Sequence, residues 1–153
     1  MNWDEYFINI TEEIAKKSKD PSTKIGCLIV NKDKRIISSG YNGFISGCDE
    51  NKMSFERPMK YYLTIHSEMN ALLFAKQDLN DCSLYSLYAP CENCLKHILQ
   101  SGIKKIVYKN LFLNSKISAN PKSMMDDLAK EAVTRILQSV SGVICENING
   151  IDY

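Results

Sequence analysis

Apolar residues recur at helical spacing over residues 3–17, where Trp3, Tyr6, Phe7, Ile10, Ile14 and Ala15 form a stripe with charges between them. Ser18-Lys19-Asp20-Pro21 ends that helix, because proline disfavours helical geometry in the residue before it. Residues 25–30 and 36–39 are short apolar runs joined by the polar turn Asn31-Lys32-Asp33-Lys34-Arg35, which predicts a hairpin. Residues 40–60, with Gly40, Gly43, Gly47 and Pro58, have no period and predict a long loop, a length that compact domains tend to use for function. Helices are then expected over 67–77 and 91–101, the second closed by Gly102, with strands over 84–88 and 104–108. After a polar stretch at 109–121, a helix near 122–140 and a strand at about 142–146 complete the pattern. A hairpin followed by alternating helix and strand predicts an α/β layered domain, with helices on both faces of a mixed sheet.

The chain has 153 residues, one domain's worth over 1–153. Its 19 basic and 18 acidic residues leave a net charge of +1, which argues against non-specific binding of polynucleotide or a membrane surface. No apolar run approaches the roughly 20 residues of a transmembrane helix, and the acidic start lacks a signal-peptide core. A cytoplasmic location is the expectation. Six cysteines are irregularly spaced except for Cys91-x-x-Cys94, and only His66 and His97 are histidines. In a reducing compartment that pair reads as a metal site or a redox motif.

Cys91 and Cys94, three apart at the start of a helix, lie on one face and can share a metal. The helix N-terminus favours the thiolate form that binds it. His66, at the head of another helix, supplies a third ligand. Three protein ligands leave a fourth tetrahedral position of zinc to water, whereas structural zinc sites fill all four. Glu68, two positions after His66, points elsewhere on a regular helix, so it suits a proton carrier better than a ligand. A closed structural site or a redox pair is the alternative reading of the cysteines. A purely structural site has no use for that acid.

His66-Ser67-Glu68 and Pro90-Cys91-Glu92-Asn93-Cys94 match the H-x-E…P-C-x-x-C signature of zinc-dependent nucleobase deaminases. Over about residues 3–110 the chain resembles the deoxycytidylate (dCMP) deaminases of that group. The resemblance is carried by Ser18-Lys19-Asp20-Pro21-Ser22-Thr23, Ile25-Gly26-Cys27, Gly40-Tyr41-Asn42-Gly43, His66-Ser67-Glu68-Met69-Asn70-Ala71 and Gln100-Ser101-Gly102-Ile103-Lys104-Lys105. It implies a three-layer α/β/α cytidine-deaminase-like fold around a mixed sheet of about five strands, and hydrolysis of dCMP to dUMP and ammonia, which supplies dUMP for thymidylate synthesis. It implies one catalytic zinc on His66, Cys91 and Cys94, with Glu68 moving protons. It also implies a hexamer or dimer, and control by dCTP and dTTP, with Mg2+ accompanying a dCTP effector. Tyr41, Gly43 and Phe74 fall where relatives place that effector. Three departures stand out: Ser67 replaces the family's usual alanine, Ile45 stands where a proline is usual, and Gln77 stands where some members carry arginine. Alternatives are deamination of dCTP or of another nucleotide or nucleoside, and a non-catalytic zinc module.

For substrate binding, Asn42 carries donor and acceptor on one amide, and in the resembled family it contacts the nucleotide; the plain alternative is a turn asparagine. Lys19 is preferred over Lys24 and Arg57 for the phosphate, against a merely solvated helix end. The backbone around Ala89-Pro90-Cys91 is expected to orient the amino group. Phe112 reads as a core or interface aromatic before a stacking one, Met124-Met125 as packing, and His97 as an exposed or helix-packing residue. Cys27, Cys82 and Cys145 read as buried thiols, and Cys48 as the exposed one.

Overall fold

The computed structural model describes residues 1–111 and 127–150. α1 (Trp3–Ala15) starts from a capping box in which Asn2 Oδ1 accepts from the Glu5 amide at 2.8 Å while the Glu5 carboxylate accepts from the Asn2 amide. β1 (Gly26–Val30) and β2 (Ile36–Tyr41) form the expected antiparallel hairpin. A short 3-10 turn (Glu50–Lys52) and α2 (Lys60–Leu63) interrupt what sequence alone reads as one loop. α3 (Ser67–Ala75), β3 (Ser83–Tyr88), α4 (Glu92–Gln100), β4 (Lys105–Asn110), α5 (Asp127–Ser139) and β5 (Ile144–Asn147) follow. Phe112 and Met124-Met125 lie outside the described residues.

The five strands form one mixed sheet in the order β2-β1-β3-β4-β5. β1 runs antiparallel to both β2 and β3, whereas β3, β4 and β5 are mutually parallel. Every residue of β1 is buried, as its unbroken run Gly26-Cys27-Leu28-Ile29-Val30 requires of a strand covered on both faces. Its side chains alternate between two cores. Leu28 and Val30 meet Phe7, Ile8, Tyr85 and Val107 beneath α1. Cys27 and Ile29 meet Ala71, Leu84, Leu95, Ile98 and Ile106 beneath the helices of the opposite face. The layers are therefore α/β/α, as the sequence predicts.

Two glycines set how closely helices approach the sheet. A Cβ on Gly26 would lie 2.0 Å from the Thr11 carbonyl oxygen of α1. One on Gly40 would lie 2.4 Å from the Ser67 carbonyl oxygen and 2.5 Å from the Ala71 amide of α3. Glycine is the residue that lets these backbones touch. α3 is thus pressed onto β2, and Ser38 Oγ adds a 2.6 Å bond to the Ala71 carbonyl.

The first residue of α2 is tied down. Lys60 Nζ lies 2.9 Å from Asp20 Oδ2 and 3.0 Å from Ser22 Oγ, and both Lys60 and Asp20 are almost fully buried. Asp20 Oδ1 accepts from the amides of Ser22 and Thr23 and from the Ser22 hydroxyl. Burial raises the Asp20 pKa, yet the bonds from Lys60, Ser22 and Thr23 outweigh it and hold the carboxyl below its usual value. No described helix is long and apolar enough to cross a membrane.

Candidate metal centre and active site

His66 is the N-cap of α3 with extended backbone, and its side chain makes no capping bond, which leaves the imidazole to face α4. Cys91 is the N-cap of α4, and its Sγ accepts from the Cys94 amide at 3.4 Å. The two helix starts bring three ligand-type side chains together: His66 Nδ1 is 3.6 Å from Cys91 Sγ and 3.3 Å from Cys94 Sγ. The ligand atoms of all three lie within 4.8 Å of one another. Cys94 is buried and Cys91 half-buried, while His66 is crowded by protein atoms yet keeps a solvent-accessible edge.

The segment carrying His66 is pinned from the far side. Ile65 and Gly43 exchange two backbone bonds of 2.7 and 3.1 Å, and Asn70 Nδ2 donates to the Tyr41 carbonyl at 2.8 Å. Ser18 Oγ donates to the Asn42 carbonyl at 2.8 Å. The Gly40–Gly43 segment that carries part of the family resemblance is thus tied to the ligand-bearing helix, and Ser18 reaches that helix through Asn42.

Charge within the cluster follows from these contacts. Cys91 is pushed down to about 4, first by the hydrogen bond from the Cys94 thiol and then by His66. The same bond, with burial, pushes Cys94 up. His66 is raised to about 9, mainly by its hydrogen bond to Cys91. A thiolate at a helix N-terminus beside a second thiol and an imidazole is the donor set that zinc takes with three protein ligands and one open position.

Glu68 lies beside this set and is 5% exposed. Burial raises its pKa, against the pull of His66 and of the Ser67 hydroxyl, which donates to Glu68 Oε1. Ser86 Oγ, from β3, approaches the same oxygen at 3.5 Å. A buried carboxyl with a raised pKa beside a metal donor set is the kind of group that functional sites use for proton transfer.

The remaining expected residues divide between two places. Ala89 and Pro90 are buried just ahead of Cys91. The Ala89 amide is already given to the Asn110 carbonyl at 2.9 Å, and proline has no N–H. Lys19, Tyr41, Asn42, Gly43 and Phe74 instead line one cavity of about 330 Å³, whose lining does not include His66, Glu68, Cys91 or Cys94. Phe44 and Phe55 stack within that lining, ring centroids 4.2 Å apart. Lys19 is exposed and paired with Glu50 at 2.6 Å, and that carboxylate raises its pKa. Asn42 is buried; its Oδ1 accepts from the Ile25 amide and its Nδ2 donates to the Thr23 carbonyl, both at 2.9 Å.

Lys24 Nζ bonds the Ser18 carbonyl, and Arg57 Nη2 lies 3.3 Å from Ser22 Oγ. His97 is exposed, its Nδ1 2.7 Å from the Asn93 carbonyl oxygen. Cys27 and Cys82 are buried, Cys145 and Cys48 half-buried. Lys60, Phe44 and Phe55 escape sequence reasoning, since a lysine and two aromatics inside an aperiodic stretch carry no pattern of their own.

The sequence model described as "Cytidine and deoxycytidylate deaminase zinc-binding region" matches residues 1–110. An uncharacterised deaminase of Aliivibrio fischeri is 41% identical over 104 residues, covering 68% of this chain and 70% of that protein. The deoxycytidylate deaminase of Pongo abelii is 29% identical over 153 residues, covering 95% of this chain and 86% of its own length. A crystal structure of dCMP deaminase from the cyanophage S-TIM5, in complex with dCMP and dUMP, aligns with a TM-score of 0.72 at 25% identity, over 94% of this chain and 95% of that one. With its His66, Cys91 and Cys94 donors gathered beside a buried Glu68, this chain belongs to the zinc-binding cytidine and deoxycytidylate deaminase family.

Proposed function

We propose that this protein hydrolyses dCMP to dUMP and ammonia. The observation that carries the reading is the placement of Glu68, buried and beside a three-ligand donor set, in a chain similar along nearly its whole length to deoxycytidylate deaminases. His66, Cys91 and Cys94 would hold the zinc, which when bound would supply an acidified water as the nucleophile. Glu68 takes the proton released as the water oxygen bonds to C4 of cytosine. It delivers that proton to N3, then takes the second from the new C4 hydroxyl and passes it to the amino nitrogen, so that the C4–N bond breaks as the C4 carbonyl forms and dUMP and ammonia leave. We place the backbone of Ala89 and Pro90 toward the substrate's amino group: the Ala89 amide is given to Asn110 and Pro90 has none, so what this segment offers that donor is a carbonyl oxygen. Asn42 has one amide hydrogen and one oxygen lone pair beyond those it uses, enough to meet a sugar hydroxyl.

Lys19, expected at the substrate's phosphate, lines the cavity apart from His66, Glu68, Cys91 and Cys94, so we assign to it the phosphate of an effector, an anion that displaces Glu50. The cavity it shares with Tyr41, Gly43 and Phe74 is in the size range of a small-molecule site, and its cations and stacked aromatics suit a nucleotide effector, dCTP with Mg2+ or dTTP. The exposed Leu73 and Phe74, neighbours on α3, support a homo-oligomer, a hexamer or a dimer. The need for reduced Cys91 and Cys94 supports a cytoplasmic location. The zinc-loaded protein is expected to release one ammonia for each dUMP formed from dCMP, read by a coupled ammonia assay beside nucleotide chromatography. Unchanged dCMP with zinc bound would overturn the assignment.

A further inference from the structure

Ser67 is fully buried at the first position of α3, and its hydroxyl donates to Glu68 Oε1. Buried hydroxyls need partners, and this one has found the acid on which the reaction turns. Ser86 Oγ, from β3, addresses the same oxygen at 3.5 Å. Among the described residues, both serine hydroxyls meet Oε1. Two O–H groups aimed at one carboxylate oxygen fix where that oxygen lies, and leave exchange with other groups to its partner oxygen. They also restrain rotation of the carboxyl group.

We propose that Ser67 is a positioning residue, whose hydroxyl fixes Oε1 of Glu68 and leaves Oε2 as the oxygen through which protons pass. The inference rests on the deamination reading given above. In each turnover Oε2 carries the two protons of the attacking water in succession, the first to N3 and the second, released as the C4 hydroxyl becomes a carbonyl, to the leaving nitrogen, while Oε1 keeps its hydrogen bond throughout. The residue acts through Glu68 and needs no contact with substrate. The alanine usual at this position in the resembled family makes the contrast chemically clean, because Ser67→Ala removes one buried oxygen and little volume.

The test compares the parent with Ser67→Ala, Ser67→Thr and Ser67→Val. Ser67→Ala is expected to retain one zinc per chain and an unchanged KM for dCMP, while kcat falls about tenfold, the low end for losing a group that orients a catalytic one. Threonine, which keeps the hydroxyl, is expected to recover most of that loss, and valine, its apolar isostere, none. An Ser67→Ala enzyme with full zinc and kcat within twofold of the parent would overturn the proposal, as would valine matching threonine. Infrared difference spectra supply a readout without turnover: the Glu68 carboxylate band, identified by its loss in Glu68→Gln, is expected to shift in Ser67→Ala. An unshifted band overturns the proposal. A parent inactive on dCMP overturns the substrate reading instead, while the infrared measurement still decides the role of Ser67.

Discussion

His66 Nδ1 lies 3.3 Å from Cys94 Sγ, although 28 residues separate them in sequence. The contact exists because α3 and α4 pack side by side on the same face of the sheet, each with a ligand at its N-terminal cap. Replacing His66 or Cys94 by alanine is therefore expected to remove zinc and activity together, read by elemental analysis beside turnover. The family's chelator-treated parent should behave likewise and recover when zinc is restored. Full activity in zinc-depleted protein would contradict this.

Glu68 separates metal binding from chemistry. Glu68→Gln keeps the shape of the side chain and removes its proton transfer. It is expected to bind zinc as the parent does, with kcat lowered by about 10²–10⁴, the range for losing a general acid–base group. Loss of zinc in this variant would make Glu68 a ligand instead.

The buried Asp20–Lys60 pair predicts a stability effect with a defined pH dependence. Lys60→Ala leaves an unpaired buried carboxylate and is expected to cost about 3–5 kcal/mol in denaturant unfolding. Asp20→Leu combined with Lys60→Met should recover much of that loss, since no charge is left behind. The folded-state pKa of Asp20 is depressed, so its contribution is present above the unfolded-state value of about 4 and is lost as pH falls through the folded value. Asp20→Asn is expected to flatten that part of the acid limb; an unchanged limb would place the acid sensitivity elsewhere.

The cavity shared by Lys19, Phe44, Phe55 and Phe74 makes its own prediction. Calorimetric binding of dCTP with Mg2+ should weaken about tenfold in Phe74→Ala, as expected for losing one base-stacking aromatic. Equal binding by the parent and the variant would remove Phe74 from the effector site.

Elements whose signal is local were legible in the sequence. The stripe Trp3–Ala15, the all-apolar Gly26–Val30 and the Cys91-x-x-Cys94 pair at a helix start each specify their structure over a few residues, and the structure reproduces them within about two residues. Contacts made across the fold were not. Nothing near Lys60 announces that it lies against Asp20, 40 residues earlier, or that it opens a short helix within the expected loop. The bonds between the Asn42 amide and residues 23 and 25 likewise arise only once β1 and β2 have paired. The tightness of Gly40 against α3 depends on tertiary approach, so an aperiodic glycine-rich stretch reads as loop until the helix is placed on it.

The most direct test of the account is loss of the cytosine absorbance in the zinc-loaded protein, with dCMP, dCTP, deoxycytidine and CMP compared side by side. The account predicts turnover of dCMP at a kcat/KM at least tenfold above each of the others, abolished in Glu68→Gln. Equal or faster turnover of dCTP or deoxycytidine, or none of any of the four by protein holding zinc on His66, Cys91 and Cys94, would contradict it.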